Sequence, residues 1–428
     1  MPKRNFLYLL LGGIIGIVFI FGLMTIFTKP KPVKPTITGR VKEKEPLVSQ
    51  EPVPELEKKP VEVPVVPEVP PEPVPQLEKK PVEVPVTPEV PLELLPPVQE
   101  KAIFKPEFQK GMTFIAWTEE GYNNPNSVKA MEQLASLGVE WVCLSPTWYQ
   151  YQYNSTTIDP ARDKTPSDES LIFAIRKLHE LKFKLMLKPH LDLVQSNGKW
   201  RGEIGPTNPG DWQAWFDSYT AFILHYAELA AGENVEMLCI GTELTSATLG
   251  QPAFWKELIN KTRQVYKGQL TYAANWSEEF DSIEFWNDLD YAGIDAYFPL
   301  VTSLRPTVEQ LKSAWEDWLK KIEPWQKKIN KPVIITEIGY KSAVGANEEP
   351  WQHSPIGEVD LQLQINCYEA LLQAFWDKPW FYGVYWWYWG VHPKMGGVAN
   401  RDFTPQNKPA QEVIKQWYKE KTLSEKTY

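Results

Sequence analysis

Cysteine and histidine are scarce in this chain, three and five among 428 residues. Cys143, Cys239 and Cys367 are odd in number and far apart, and two of them lie in apolar, strand-like runs. They read as buried thiols and argue against a disulfide framework or a zinc site. Five scattered histidines leave no ligand set for a catalytic metal, so neither metal nor cofactor is expected. Positive charge is not in excess either. Lys and Arg number 45 against 54 Asp and Glu, a net charge of −9. Residues 1–100 carry 12 basic and 13 acidic side chains, which leaves 33 and 41 for the remainder. A nucleic-acid partner needs a basic footprint, which that remainder lacks. Tryptophan is absent before residue 117, and all 19 lie from there on. An acidic, Trp-rich region suits a neutral ligand with faces to stack on.

Charge is missing altogether from 5–28, a run of 24 residues between Arg4 and Lys29. Roughly 20 apolar residues span a bilayer, so the run is long enough for a transmembrane helix. It exceeds a usual signal core, no A-x-A site follows it, and no cysteine lies nearby. A retained single-pass anchor is expected ahead of a cleaved signal peptide, and a lipoprotein anchor is excluded. Lys29, Lys31, Lys34, Arg40, Lys42 and Lys44 follow the run. Charge counting alone would keep that side in the cytoplasm, but long C-terminal domains often translocate regardless. The expected location is the cell membrane, with the large C-terminal domain outside the cytoplasm.

Proline, in contrast, is plentiful, with 39 residues concentrated before residue 100. In this stretch LEKKPVEVPVVPEVP from Leu56 recurs as LEKKPVEVPVTPEVP from Leu77, a period of 21. Proline this frequent cannot join helices or sheet interiors and favours extended polyproline II. At about 3.1 Å per residue, ~70 residues reach on the order of 200 Å. The segment reads as a disordered stalk holding a domain off a membrane; a proline-rich docking site is the alternative.

From about residue 102 strand-like runs alternate with amphipathic ones. The expected strands are 112–117, 141–146, 184–192, 237–243, 270–275, 291–298, 333–338 and 381–389. SLIFAIRKLHEL from Ser170, FWKELINKTRQVY from Phe254 and VEQLKSAWEDWLKKI from Val308 carry a helical period between them, and a last helix is expected over 409–418. Eight strands, each followed by a helix, predict an α/β fold, the (β/α)8 TIM barrel. A doubly wound open sheet is the alternative, but no glycine-rich phosphate loop follows the first strand. The expected domains are 1–28 as anchor, 29–101 as linker, 102–420 as barrel and 421–428 as tail, in a monomer.

In such a barrel the chemistry gathers at the C-terminal ends of the strands. KPVIITEIGY from Lys331 delivers Glu337 at the end of strand seven, and MLCIGTE from Met237 delivers Glu243 at the end of strand four. The 94 residues between them are what three βα units of roughly 30 residues would fill. Two carboxylates at one rim are the pair that glycoside hydrolysis requires, one protonated as acid and one ionised to attack or to activate water. KPHLD ends strand three and puts His190 and Asp192 on one face, read as sugar-hydroxyl binders. GIDAYFP ends strand six with Asp295 and Tyr297 sharing a face, and the phenol is placed to hydrogen-bond a nucleophilic carboxylate. Asn275 and Trp276 close strand five, and Trp200 and Arg201 lie past strand three. Aromatic residues mark the same rim, namely Trp117, Trp148, Trp387 and Trp389, and Trp stacks on the C–H faces of pyranose rings. In YWWYW, alternation puts Tyr385, Trp387 and Trp389 towards the pocket and Trp386 and Tyr388 outwards. A polysaccharide or oligosaccharide partner is expected.

At these residues the chain resembles glycoside hydrolase clan A and, within it, glycoside hydrolase family 113, known chiefly for β-1,4-mannanases. The resemblance rests on GMTFIAW from Gly111, WVCLSPTWYQ from Trp141, KLMLKPHLD from Lys184, WRGEI from Trp200, MLCIGTEL from Met237, LTYAANW from Leu270, DYAGIDAYFPL from Asp290, KPVIITEIGY, GVYWWYW from Gly383 and FTPQNKPA from Phe403. It spans nearly all of residues 110–418, leaving out the anchor and stalk. It implies a retaining mechanism with Glu243 as acid/base, Glu337 as nucleophile and Tyr297 as the nucleophile's hydrogen-bond partner. Most of the clan has Asn before the strand-four Glu; Thr242 stands here, in keeping with this family. The alternatives are the same mechanism on another β-glycan, and an inactive barrel serving as a surface carbohydrate-binding protein.

Overall fold

The computed structural model describes residues 105–426, apart from 162, 354–356 and 424–425. The expected anchor and linker lie outside the described residues. Among the described residues no helix is long and apolar enough to cross a membrane.

Eight parallel strands form a closed ring. They are β1 (Gln109–Ile115), β2 (Trp141–Leu144), β3 (Lys184–Leu187), β4 (Met237–Thr242), β5 (Gln269–Asn275), β6 (Ala292–Asp295), β7 (Val333–Ile338) and β8 (Phe381–Gly390). Neighbours in the ring are neighbours in sequence, and β1 pairs with both β2 and β8, so no edge is left unpaired. At that seam Gly111 is required by close approach, because a Cβ there would lie 2.5 Å from the Tyr385 ring. The helices are α1 (Pro125–Ser136), α2 (Asp168–Glu180), α3 (Trp212–Gly232), α4 (Thr245–Gly250), α5 (Pro252–Val265), α6 (Val308–Ile329), α7 (Leu361–Phe375) and α8 (Ala410–Glu420). This is the (β/α)8 barrel that the alternation of periods predicts.

Local chemistry explains where the elements begin. Pro125 opens α1, and Asn124 Oδ1 accepts the orphan N–H groups of Asn126 and Ser127. A capping box of Thr307 and Gln310 opens α6, and Asn330 closes it in the left-handed region at φ 49°. Strand alternation divides the core in two. Trp141, Cys143, Met186, Met237, Cys239 and Tyr385 pack in a cluster built from the strands. Val142, Leu144, Leu185 and Leu187 point the other way, into the layer shared with the helices.

Three expectations are corrected. The run 141–146 is a strand only as far as Leu144, with a second strand starting just beyond it at Thr147, and the run 184–192 is two strands. β2 and β3 stop at Leu144 and Leu187, and Thr147–Gln150 then pairs with His190–Leu193 in a separate three-stranded sheet. Pro146 and Pro189 stand at the breaks, and proline has no N–H to continue the ring's ladder. Secondly, β5 is followed by no α-helix. A single 3-10 turn, Trp286–Asp288, leads to β6, and Phe280, Phe285 and Trp286 fill that side of the core. Thirdly, β8 does not keep strict alternation. Met112 pairs with Trp386 but Phe114 with Trp389, so β8 carries an extra residue there and its facing reverses. Trp389 is therefore turned into the core with 2% exposure and does not line the pocket, contrary to its expected role. Tyr385 is also internal, donating to Gln109 Oε1 at 2.7 Å, while Trp386 stacks on Tyr368 of α7.

Candidate active site

Two glutamates face one cavity of about 430 Å³ at the C-terminal rim of the ring. Glu337, near the end of β7, uses both carboxylate oxygens. Oε1 accepts from the Tyr297 hydroxyl at 2.7 Å and Oε2 from Lys188 Nζ at 2.7 Å. Lys188 stands one residue past β3 and is completely buried. Its Nζ also lies 3.5 Å from Asp295 Oδ1, which accepts from Thr336 Oγ1 at 2.7 Å. Burial works against the Lys188 charge, but the Asp295 and Glu337 carboxylates outweigh it and hold the ammonium above its usual pKa. Burial likewise pushes the Asp295 carboxyl well above the ordinary range against the pull of Lys188. Burial, then the neighbouring Glu337, raises Tyr297 far enough that it stays a phenol and a donor.

Glu243 lies just past β4 in the left-handed region, at φ 52°. Its N–H donates to Ala273 O at 2.8 Å, and its Oε1 accepts from Asn275 Nδ2 at 2.8 Å. The Asn275 amide is oriented by Ser277, whose N–H and hydroxyl both donate to Oδ1, at 2.9 and 2.7 Å. Burial raises the Glu243 pKa, Arg201 opposes this, and the charge of Glu337 adds to the rise. The two carboxyl groups thus sit in unlike surroundings, one beside a buried cation and the other beside a neutral amide. Such a pair divides the acid and base roles.

His190 completes the floor. Arg201 Nη1 donates to its Nδ1 at 3.3 Å, which leaves Nε2 as the N–H, 4.0 Å from Glu337 Oε2. Burial first, then the Lys188 and Arg201 cations, hold its pKa well below normal, so the ring is neutral. Trp387 lies parallel to it at 6.1 Å. Trp200, Trp276, Trp351 and Phe403 supply the aromatic walls, with Gln352 and His353 beside them. Trp351 stacks on Trp276 at 5.2 Å.

The remaining expected residues lie elsewhere. Asp192 is about half exposed and faces Arg201 Nη2 at 3.5 Å, outside the cavity lining. Asp295 lies beneath the floor, in reach of Lys188. Trp117 is 45% exposed and meets Tyr388 edge-on, and Trp148 packs on Phe222 and Tyr226 of α3, beside a separate cavity. A larger groove of about 750 Å³ between α1 and α2 carries none of these groups. Sequence reasoning missed Lys188, Ser277, Trp351, Gln352, His353 and Phe403. The signal for Lys188 was present, a lysine before proline at a strand end; the others sit on loops without a period.

The loops after β7 and β8 bring in Trp351, His353 and Phe403, and they are tied together. Ser342 Oγ donates to Asn400 O at 2.7 Å and Arg401 Nη1 to Gly357 O at 2.8 Å. Gln364 Nε2 donates to Tyr340 O and Phe403 O at 2.8 and 2.9 Å, and Lys408 Nζ to Asp402 O at 2.7 Å. Among the described residues no group of three His, Cys, Asp or Glu side chains could hold a metal ion.

A barrel rim with two unlike carboxyl groups between aromatic walls defines the class, a glycoside hydrolase. The profile of Glycoside Hydrolase Family 113 matches residues 112–420, and the chain belongs to this family. Among solved structures, it is similar to a GH113 β-1,4-mannanase in complex, with a TM-score of 0.66 and 27% identity over 74% of this chain and 100% of the other. It is also similar to the GH113 β-mannanase AaManA from Alicyclobacillus acidocaldarius, with a TM-score of 0.65 and 28% identity over 73% and 97%. The β-glucuronidase of Lactobacillus rhamnosus shares the fold, with a TM-score of 0.53 and 15% identity over 76% of this chain and 51% of the other. A search of curated proteins returns no match.

Proposed function

We propose that the protein is a retaining β-1,4-mannanase acting by double displacement, with Glu337 as nucleophile and Glu243 as acid/base. The observation that carries this reading is the unlike setting of the two groups, Glu337 between Lys188 and Tyr297 and Glu243 against Asn275. In the first step a Glu337 oxygen bonds to the anomeric carbon while the glycosidic bond breaks. The Glu243 carboxyl gives its proton to the departing oxygen. Forming the ester removes the charge of Glu337, which is one cause of the raised Glu243 pKa, so that pKa falls and Glu243, its proton given up, stays a carboxylate. It then takes a proton from water, which attacks the anomeric carbon and releases Glu337. Two inversions leave the configuration unchanged. Mannan is chosen among β-glycans because the solved relatives at 27–28% identity are β-mannanases.

The test is hydrolysis across a panel of β-linked oligosaccharides, with product configuration followed by NMR. Wild type should cleave β-1,4-manno-oligosaccharides with retention, and Glu337→Ala should abolish turnover. Inverted products, an unchanged rate in the variant, or sugar binding without hydrolysis would each refute the reading. We further read residues 5–28 as a membrane anchor and 29–101 as a stalk, on their uncharged run and proline content. Recovery of the full chain in the soluble fraction, instead of with membranes, would refute that assignment.

A further inference from the structure

We propose that Glu279 is a positioning residue for Glu243, holding it from two sides through hydrogen-bonded arms. The proposal rests on the acid/base role given to Glu243 above. Glu279 lies in the loop after β5, four residues beyond Asn275, with no solvent exposure. A carboxyl buried so deeply must be satisfied, and it accepts three hydrogen bonds. Oε2 takes the backbone N–H of Asn275 at 2.7 Å, and Oε1 takes the hydroxyls of Tyr272 and Thr248, each at 2.7 Å.

Two of these donors lead, in one further bond, to the acid/base. Asn275 Nδ2 donates to Glu243 Oε1 at 2.8 Å, which makes the first arm. The Tyr272 hydroxyl accepts the N–H of Leu244 at 2.7 Å, and Leu244 directly follows Glu243, which makes the second. Thr248 adds a tie to α4, the helix that starts two residues past Glu243. Tyr272, Leu244 and Thr248 are all buried, with 0, 1 and 2% exposure.

The arms are needed because Glu243 occupies a costly conformation. At φ 52° a residue with a Cβ is disfavoured by about 1–2 kcal/mol, and it persists only where its surroundings over-determine it. Glu279 supplies that constraint at the backbone through Tyr272 and at the carboxyl through Asn275. Gly241 makes room for the backbone arm, since a Cβ there would lie 2.7 Å from the Tyr272 ring. Burial pushes the Glu279 pKa up to about 7 against its three donors, and the charge of Glu243 adds to the rise. The two carboxyl groups therefore sense each other.

The test is Glu279→Gln in the full chain. Glutamine keeps one oxygen for the hydroxyls but sets an amide NH2 against the Asn275 N–H, which breaks the first arm. An impaired acid matters for a poor leaving group and little for a good one. We expect kcat/KM on the preferred oligosaccharide to fall about 10- to 100-fold. On the 2,4-dinitrophenyl glycoside of the same sugar it should fall less than about threefold, as expected when only proton transfer is impaired. Azide needs no general base: it bonds to the anomeric carbon as the bond to Glu337 breaks, so it should raise the variant's kcat on the aryl glycoside. Tyr272→Phe, which removes only the second arm, should show the same selective pattern and carries the test if Glu279→Gln does not fold. An equal loss on both substrates without an azide response, or no loss at all, overturns the proposal. Glu243→Ala is the reference. If it lacks leaving-group selectivity and azide rescue, the acid/base reading fails and this proposal with it. If it has both while Glu279→Gln and Tyr272→Phe do not, only this proposal fails.

Discussion

Lys188 shares one ammonium between Glu337 and Asp295, all three at the base of the cavity and the lysine without solvent contact. Removing one partner from such a buried set leaves uncompensated charge. Lys188→Met should lose about 3–5 kcal/mol of stability, read as a lower urea midpoint, together with activity. Asn275 gives a finer probe, because its hydrogen bond lowers the Glu243 pKa. Asn275→Ala should therefore raise that pKa. In the proposed mechanism the first step needs Glu243 protonated, so activity should be lost as pH rises through the Glu243 pKa, and the alkaline limb of kcat/KM should move upwards in the variant. A downward shift would contradict the arrangement. At this scale the two glutamates were legible because each ends an apolar strand, where a carboxylate is conspicuous. Lys188 was passed over although it precedes a proline at a strand end, since a lysine reads as surface until the ring closes over it. Glu279 was hidden for a related reason: in SEEF it has an acidic neighbour, and nothing local marks which one turns inwards.

Among the elements, periodicity revealed eight strands but not their ends. The corrections to the split runs and to β8 share one cause, since alternation and length depend on pairing partners that a single segment does not contain. Pro146 and Pro189 were visible, yet the side sheet they begin requires two distant segments to meet. The reversed facing of Trp389 depends on β1, across the seam. The β8 loop offers a test of its own. Lys408 is 2% exposed, and burial lowers its pKa from 10.5 to about 7, with Asp402 opposing. The folded state then binds fewer protons than the unfolded chain between about pH 7 and 10.5, so this group makes stability rise with pH across that window. Lys408→Met lacks the effect. Its melting temperature relative to wild type should therefore be higher at pH 6 than at pH 10, and a difference independent of pH would rule out the buried ammonium as the cause.

For the whole molecule, the ring seals its thiols. Cys143, Cys239 and Cys367 are free and buried, and burial raises the pKa of all three. A thiol reagent at pH 8 should label none in the native protein and three after unfolding, and early labelling of any of them would mean that the barrel opens locally. The ties between the loops after β7 and β8 extend the same reasoning to the rim. Ser342, Gln364, Arg401 and Lys408 bond across from one loop to the other or within the shared corner, so neither loop can lift alone without leaving buried polar groups unpaired. The wall that carries Trp351, His353 and Phe403 should then open as one cooperative unit. In deuterium exchange, amides on both loops would share a single opening free energy, and a break made at Arg401 would speed exchange around Gly357.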